Sequence, residues 1–307
     1  MSAIRVEGLR KSFGELRAVD GVSFDVGKGE IFGFLGPNGA GKTTTTRLIT
    51  GVLSPDEGDA YVNGISVLTD RRGVQERIGI VPEVSNPYME MTAWQNLMLT
   101  GGLYGMRRKE KEARAKELLD HFGLADRSDD LVKKYSKGMK RKLVLAMAMV
   151  HDPDILFLDE PTSGLDVLSQ RMIREKIREL NSKGTTVFIS THNMVEANEL
   201  CDRIAIIAHG RIAATDTPEE LKRTIVRTRS VKVSFEKGIE ISDLDTMEAV
   251  ELVRAEGNAF RIFTAEPVRV VEGMVDLSRS RDTRIATLEL EDASLEEVYL
   301  RLTGGQK

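Results

Sequence analysis

Hydrophobic positions follow two rhythms along this chain. Ile4, Val6 and Leu9 lead to a turn at Phe13-Gly14-Glu15, and Val19, Val22, Phe24 and Val26 lead to a second at Gly27-Lys28-Gly29. These are strand patterns closed by turn residues. Residues 31–35 are wholly apolar and run through a glycine-rich loop into a helical segment over 43–50. Asn63-Gly64, a strong hairpin pair, separates Ala60-Tyr61-Val62 from Ile65. Residues 78–83 read as a strand stopped by Pro82. From 91 to 150 the period becomes helical, and within it Ala115, Leu118, Leu119 and Phe122 share one face opposite alternating charges. Residues 155–158, Ile-Leu-Phe-Leu, have the continuous apolarity of a parallel strand. A helix over 172–180 and strands over 185–190 and 204–208 complete an alternation that predicts a parallel α/β sheet.

Near Thr217-Pro218-Glu219 the pattern shifts. Val231, Val233 and Phe235 alternate with polar residues, as do residues 260–263 and 285–290 more loosely. The end reads as a helix, with Ser294 and Glu297 as a capping box and Leu295, Val298, Tyr299 and Leu302 as its apolar stripe. The expected organisation is an α/β core over 1–221, with a helical subdomain over about 84–150, and a small α+β domain over 222–307. That last domain carries no recognisable chemistry and reads as a packing or dimerisation appendage.

Composition narrows the picture. The net charge of −4 gives no reason to expect a polyanion partner. Arg107, Arg108, Lys109 and Lys111 are interleaved with glutamates and read as a solvated face, not a nucleic-acid patch. A single cysteine, Cys201, excludes a disulfide framework and a cysteine metal site, and fits a reducing, cytoplasmic setting. No run reaches the length of a membrane span, and the N-terminus lacks the apolar segment of a signal peptide. Any membrane role must therefore pass through a partner.

The candidate chemistry begins in Gly36-Pro37-Asn38-Gly39-Ala40-Gly41-Lys42-Thr43-Thr44. Strand, glycine loop and helix in this order make a phosphate-binding loop. Its N–H groups and the helix N-terminus face an anion. Lys42 supplies a cation for the β- and γ-phosphates and Thr43 a hydroxyl for Mg²⁺. Asp159-Glu160 follows the apolar strand, at the carboxyl end where parallel sheets bind ligands. Asp159 suits Mg²⁺ coordination, and Glu160 suits polarising an attacking water. His192 ends another strand, where a ring N–H can reach a γ-phosphate. His121, His151 and His209 read as structural. Phe13, at a strand end, reads equally well as an adenine platform or as an edge aromatic.

Five segments then stand in order: Gly36 to Thr44, Tyr135-Ser136-Lys137-Gly138-Met139-Lys140, residues 155–160, Ser163-Gly164-Leu165-Asp166, and His192. Together they closely resemble the ATP-binding subunit of ABC transporters over roughly residues 4–220. The resemblance implies cassettes paired head to tail, each ATP lying between one phosphate loop and the other subunit's signature, Ser136, Lys137, Gly138 and Met139. It implies adenine stacking by Phe13, a dimer-loop role for Asp166, and catalytic roles for Glu160, His192 and Glu83. It implies ATP and Mg²⁺ as cofactors, with Thr43, Asp159 and Glu83 around the metal. It also implies a second ATP-binding subunit, a polytopic membrane permease, and a place on the inner face of the cell membrane. Lys140, Arg141 and Lys142 read as a solvated helix face.

Two positions depart from the family pattern. Glu83 stands where a glutamine is usual, placing an extra negative charge near the phosphates. Lys137-Gly138-Met139 replaces the usual glycine-glycine-glutamine but keeps the serine and second glycine. These variants and the ending over 293–304 resemble the subunits of drug, antibiotic and lipid exporters. The competing reading is a soluble ABC-type ATPase uncoupled from transport. The segment between Thr44 and Ser136 is too short for the long coiled coil of repair members, and one set of motifs argues against the two-cassette translation members. A GTPase would want an Asn-Lys-x-Asp motif, which is lacking.

Overall fold

The computed structural model describes residues 2–84, 87–223, 229–236, 238–291 and 295–302. Strand β1 (Ser2–Phe13) turns through Gly14-Glu15 into β2 (Leu16–Gly27), its antiparallel partner. The buried strand β3 (Ile31–Leu35) delivers the chain through the glycine loop to helix α1 (Lys42–Ile49). Strands β4 (Glu57–Val62) and β5 (Ile65–Ser66) flank Asn63-Gly64, both of which adopt positive φ as this hairpin turn requires. Helix α2 (Arg71–Gln75) leads to β6 (Ile78–Val81), which ends before Pro82. Helices α3 (Ala93–Leu103), α4 (Arg108–His121) and α5 (Lys137–Ala148) fill the stretch of helical period. Strand β7 (Ile155–Asp159), helix α6 (Val167–Ser182), strand β8 (Thr186–Thr191), helix α7 (Met194–Leu200), and strands β9 (Arg203–Ala208) and β10 (Arg211–Asp216) follow.

Two sheets result in this first unit, which spans residues 1–217. One is antiparallel in the order β2-β1-β4-β5; the other runs β10-β9-β3-β8-β7-β6, parallel except for β10. An aromatic cluster joins them. Phe188 meets Phe24, Phe32, Phe34 and Phe157 with ring centroids 5.3 to 6.0 Å apart. Each such ring buried contributes about 1.5–3 kcal/mol. Register then decides where the chemistry lies. Leu35 pairs with Thr191, and Asp159 with Ser190, so β3, β7 and β8 end level with one another.

The second unit spans residues 218–307. It contains α8 (Pro218–Arg223), β11 (Arg229–Phe235), α9 (Ile241–Asp245), β12 (Leu252–Glu256), β13 (Ala259–Thr264), α10 (Pro267–Ser280), β14 (Ile285–Glu291) and α11 (Leu295–Leu302). The sheet order β12-β13-β11-β14 is that of a split βαβ fold. Val231, Val233, Ile262, Val270 and Met274 form its core. In α11, Leu295 and Val298 are buried as the stripe predicts, but Leu302 is 39 % exposed because it stands at the last turn. The Ser294 half of the expected capping box lies outside the described residues.

Candidate nucleotide site

The glycine loop wraps around its own lysine. Lys42 is buried, and its ammonium donates to the carbonyls of Gly36 at 2.7 Å and Pro37 at 3.1 Å. Ala40 N–H returns to Pro37 at 3.2 Å, while Pro37, Asn38 and Gly39 form the exposed tip. Gly41 caps α1 at φ 107, and a Cβ there would lie 2.4 Å from the Ala18 carbonyl. Only glycine fits that approach. The helix start and the neighbouring N–H groups make an anion site. Thr43 and Thr44 follow Lys42 in the first turn of α1.

The carboxylates close over this loop. Asp159 accepts from Ser190 Oγ at 2.5 Å and from Thr43 Oγ1 at 3.2 Å. A fixed hydroxyl and a fixed carboxylate are hard oxygen donors of the kind Mg²⁺ takes, together with phosphate oxygens and water. Among the described residues no cluster of three acidic, histidine or cysteine side chains is placed to hold a metal. Glu160 Oε1 lies 3.6 Å from Lys42 Nζ and accepts from His192 N–H at 3.0 Å. His192 Nδ1 stands 2.8 Å from the same oxygen. The His192 ring, expected to reach a γ-phosphate, is thus bonded to Glu160 through Nδ1, which leaves Nε2 for a phosphate. Glu160 itself has φ 47, the left-handed region a non-glycine side chain rarely adopts.

The other expected residues show the following local contacts. Phe13 is half-exposed at the end of β1, with Lys11 Nζ 5.9 Å from its ring centroid. Ser136 caps α5, accepting from Met139 N–H at 3.2 Å; Ser136 and Lys137 are exposed. Gly138 is buried, and a Cβ there would meet Ser169 Oγ at 2.6 Å, so α5 and α6 touch at this point. Asp166 caps α6 through Ser169 N–H at 2.9 Å and Ser169 Oγ at 2.7 Å. Those bonds hold its carboxyl below the usual range. Glu83 is exposed beyond β6, and its carbonyl accepts from Arg141 Nη1 at 3.5 Å. Cys201 is buried, and burial pushes its thiol up, as expected of an inert side chain.

Two buried charges are additions. Arg141 is only 8 % exposed, which corrects its reading as a solvated face. Gly138, Arg141, Leu145 and Ala148 recur at helical spacing and all are buried, so the period was the available signal. Glu196, on α7, is 1 % exposed and accepts from Thr162 Oγ1 and Thr191 Oγ1, each at 2.8 Å. Thr191 Oγ1 also lies 3.3 Å from Glu160 Oε2. One hydroxyl proton cannot serve both carboxylates, and burial pushes the Glu196 carboxyl up towards its protonated form.

A raised carboxyl stabilises the fold below its unfolded pKa, and that stability is lost as pH rises through the folded value. Glu196→Gln removes the titration while keeping the shape. The melting temperature of the variant relative to the parent should therefore rise as pH is raised above the ordinary carboxylate range, about 4, and level off once the buried carboxyl has ionised. A flat difference across that range would show that Glu196 is not held protonated.

A phosphate loop whose lysine faces one carboxylate and whose threonine bonds a second, at the level carboxyl ends of a parallel sheet, defines a nucleotide hydrolase of the phosphate-loop class. The ABC transporter family pattern matches residues 19–163. The chain is 36 % identical over 305 residues to the Nod factor export ATP-binding protein I of Paraburkholderia xenovorans (strain LB400), across 99 % of this chain and 97 % of that protein. It is 37 % identical to the daunorubicin/doxorubicin resistance ATP-binding protein DrrA of Streptomyces peucetius, across 98 % and 92 %. A solved ATP-binding subunit of an ABC transporter superimposes with a TM-score of 0.66 at 31 % identity, over 73 % of this chain and 93 % of that one. A dimeric ATP-binding cassette in a post-hydrolysis state, bound to ADP and Pi, gives 0.63 at 25 % identity, over 70 % and 98 %. The chain belongs to the ABC transporter family as an ATP-binding, ATP-hydrolysing subunit.

Proposed function

We propose that this subunit drives export through a separate membrane protein, with two copies pairing head to tail around two ATP molecules. Likeness to export and resistance subunits along almost the whole chain carries this reading. Phe13 stacks on adenine, residues 36–44 hold the phosphates, and Ser136, Lys137, Gly138 and Met139 of the second copy complete each site. Leu168 and Met172, exposed just beyond Asp166, give the second copy an apolar surface to cover. Thr43 and Asp159 would hold Mg²⁺, which would supply positive charge to neutralise that developing on the phosphates. Glu160 takes the proton of the attacking water, and His192 holds Glu160 in place. Glu83 sits at the edge of this site, where its charge tunes turnover. Residues 218–307 serve as an accessory packing or dimerisation module.

Among the described residues no helix is long and apolar enough to cross a membrane, so the membrane part must come from a partner. A cleft of about 690 Å³ between β6, α3 and α5 suits a cytoplasmic helix of that partner. Ile80, Pro82, Leu103, Tyr104, Val144 and Met147 line it, and Leu103 is 75 % exposed. An apolar lip of this kind suits an amphipathic helix. Docking there places the protein on the inner face of the membrane.

The test is a tagged pull-down from detergent-solubilised membranes of the native host. A stoichiometric polytopic membrane protein should accompany the parent chain and be lost with Leu103→Glu. Soluble proteins alone, or ribosomes, would leave the ATPase intact and remove the transport role. Retention of the membrane protein by Leu103→Glu would move the docking site elsewhere.

A further inference from the structure

We propose that Arg141 is a positioning residue that fixes the main chain of Glu160 and ties it to the wall of the cleft. Its guanidinium collects backbone carbonyls from two separate segments. Nη1 donates to Pro82 at 3.0 Å and reaches Glu83 at 3.5 Å. Nη2 donates to Asp159 at 3.0 Å and to Glu160 at 2.8 Å, and Nε donates to Pro161 at 2.8 Å. Three consecutive carbonyls therefore turn towards one planar cation.

That turn surrounds the strained residue. Glu160 is held at φ 47, and such strain persists only where the surroundings over-determine it. On one side Glu160 N–H donates to Ser190 at 2.8 Å; on the other Arg141 holds the carbonyl. Relaxing to an extended conformation would break charge-assisted bonds that are stronger than neutral ones. It would also swing the carboxylate away from Lys42 and His192. Arginine suits this task because its donors are spread over a rigid fork, whereas lysine offers its donors from a single point. Burial opposes the charge, and Glu196, Asp159, Glu83 and Glu160 around it favour the charge.

The same fork reaches the cleft. Pro82 lines it, as do Val144 and Met147 from the helix that carries Arg141. A shift of that wall is transmitted through the Pro82 carbonyl and the guanidinium to the peptide of Glu160. Catalytic geometry then depends on whether the cleft is filled.

The proposal rests on Glu160 being the base, so Glu160→Gln is measured in parallel. Arg141→Lys and Arg141→Gln are made in the full chain, with circular dichroism to check folding and nucleotide titration to count active sites. ATP affinity and KM should stay within about twofold, while kcat per active site falls about tenfold or more. The double variant Arg141→Lys with Glu160→Gln should be no slower than Glu160→Gln alone, because both act on one carboxylate. A merely structural residue would lower affinity and kcat together and give additive losses, which would overturn the proposal. So would two variants that fail to fold, or a kcat within about twofold of the parent. A Glu160→Gln protein at full rate removes the base reading and this proposal together. A slow Glu160→Gln beside an unaffected Arg141→Lys removes this proposal alone.

Discussion

Glu160→Gln should bind ATP as the parent does and turn over about 10²-fold more slowly or worse, the loss expected when a general base is removed. The substitution keeps the shape of the side chain. Its amide oxygen can still accept from His192 N–H, now at 3.0 Å from Oε1, and Thr191 Oγ1 can still reach the other end from 3.3 Å. What disappears is the charge that accepts a proton from water. That charge also repels the terminal phosphate at close range, so its removal favours the ATP-bound state. A stable ATP-bound dimer should therefore accumulate, visible as a shift in gel filtration with ATP and absent with ADP. Turnover within about tenfold of the parent would take the base role from Glu160. A monomer at saturating ATP would contradict head-to-tail pairing.

The parts of this site that the sequence announced are those that depend on local order. A glycine loop between an apolar strand and a helix has few structural solutions, and residues 36–44 adopt the expected one. Fully apolar strands can pair only in a covered sheet, which brings Asp159 level with Ser190 and Leu35 level with Thr191. Arg141 and Glu196 were hidden for the opposite reason. Each is a charge inside a helix, and a single charge reads as solvent-facing until its partners are known. The partners of Arg141 are main-chain carbonyls at Pro82 and residues 159–161, which no side-chain pattern advertises. Those of Glu196 are threonine hydroxyls, one from the loop after β7 and one from the end of β8. The orientation of His192 was equally illegible, because the acceptor of its Nδ1 is set by the left-handed turn at Glu160. In the second unit β12 escaped notice because Val253 is the one buried position along it, whereas α10 had a legible signal in Pro267, Val270, Met274 and Leu277 at helical spacing, which was overlooked.

Lys42→Ala should cost binding where Glu160→Gln costs turnover. The ammonium is buried, and it is held by two carbonyls of the loop and by the field of Glu160 at 3.6 Å. Its removal has two consequences of the same sign. The phosphates lose a desolvated cation, an interaction of about 1.5–3 kcal/mol for a charged hydrogen bond. The Gly36 carbonyl loses the ammonium as donor, the Pro37 carbonyl keeps only Ala40 N–H, and Asp159 and Glu160 face the incoming phosphates without the cation. The helix N-terminus of α1 remains, but a terminus contributes only about 0.3–1 kcal/mol and cannot make up the difference. Nucleotide affinity should thus fall about 10- to 100-fold, with tenfold corresponding to 1.36 kcal/mol. Titration with a fluorescent ATP analogue measures it, and circular dichroism establishes that the loss is not unfolding. An affinity within about threefold of the parent would mean that the loop N–H groups carry the phosphates and that Lys42 acts later, on the departing charge. The variants then separate cleanly: a fall in affinity at fixed kcat assigns Lys42 to the ground state, whereas a fall in kcat at fixed affinity assigns it, with Glu160, to the transition state.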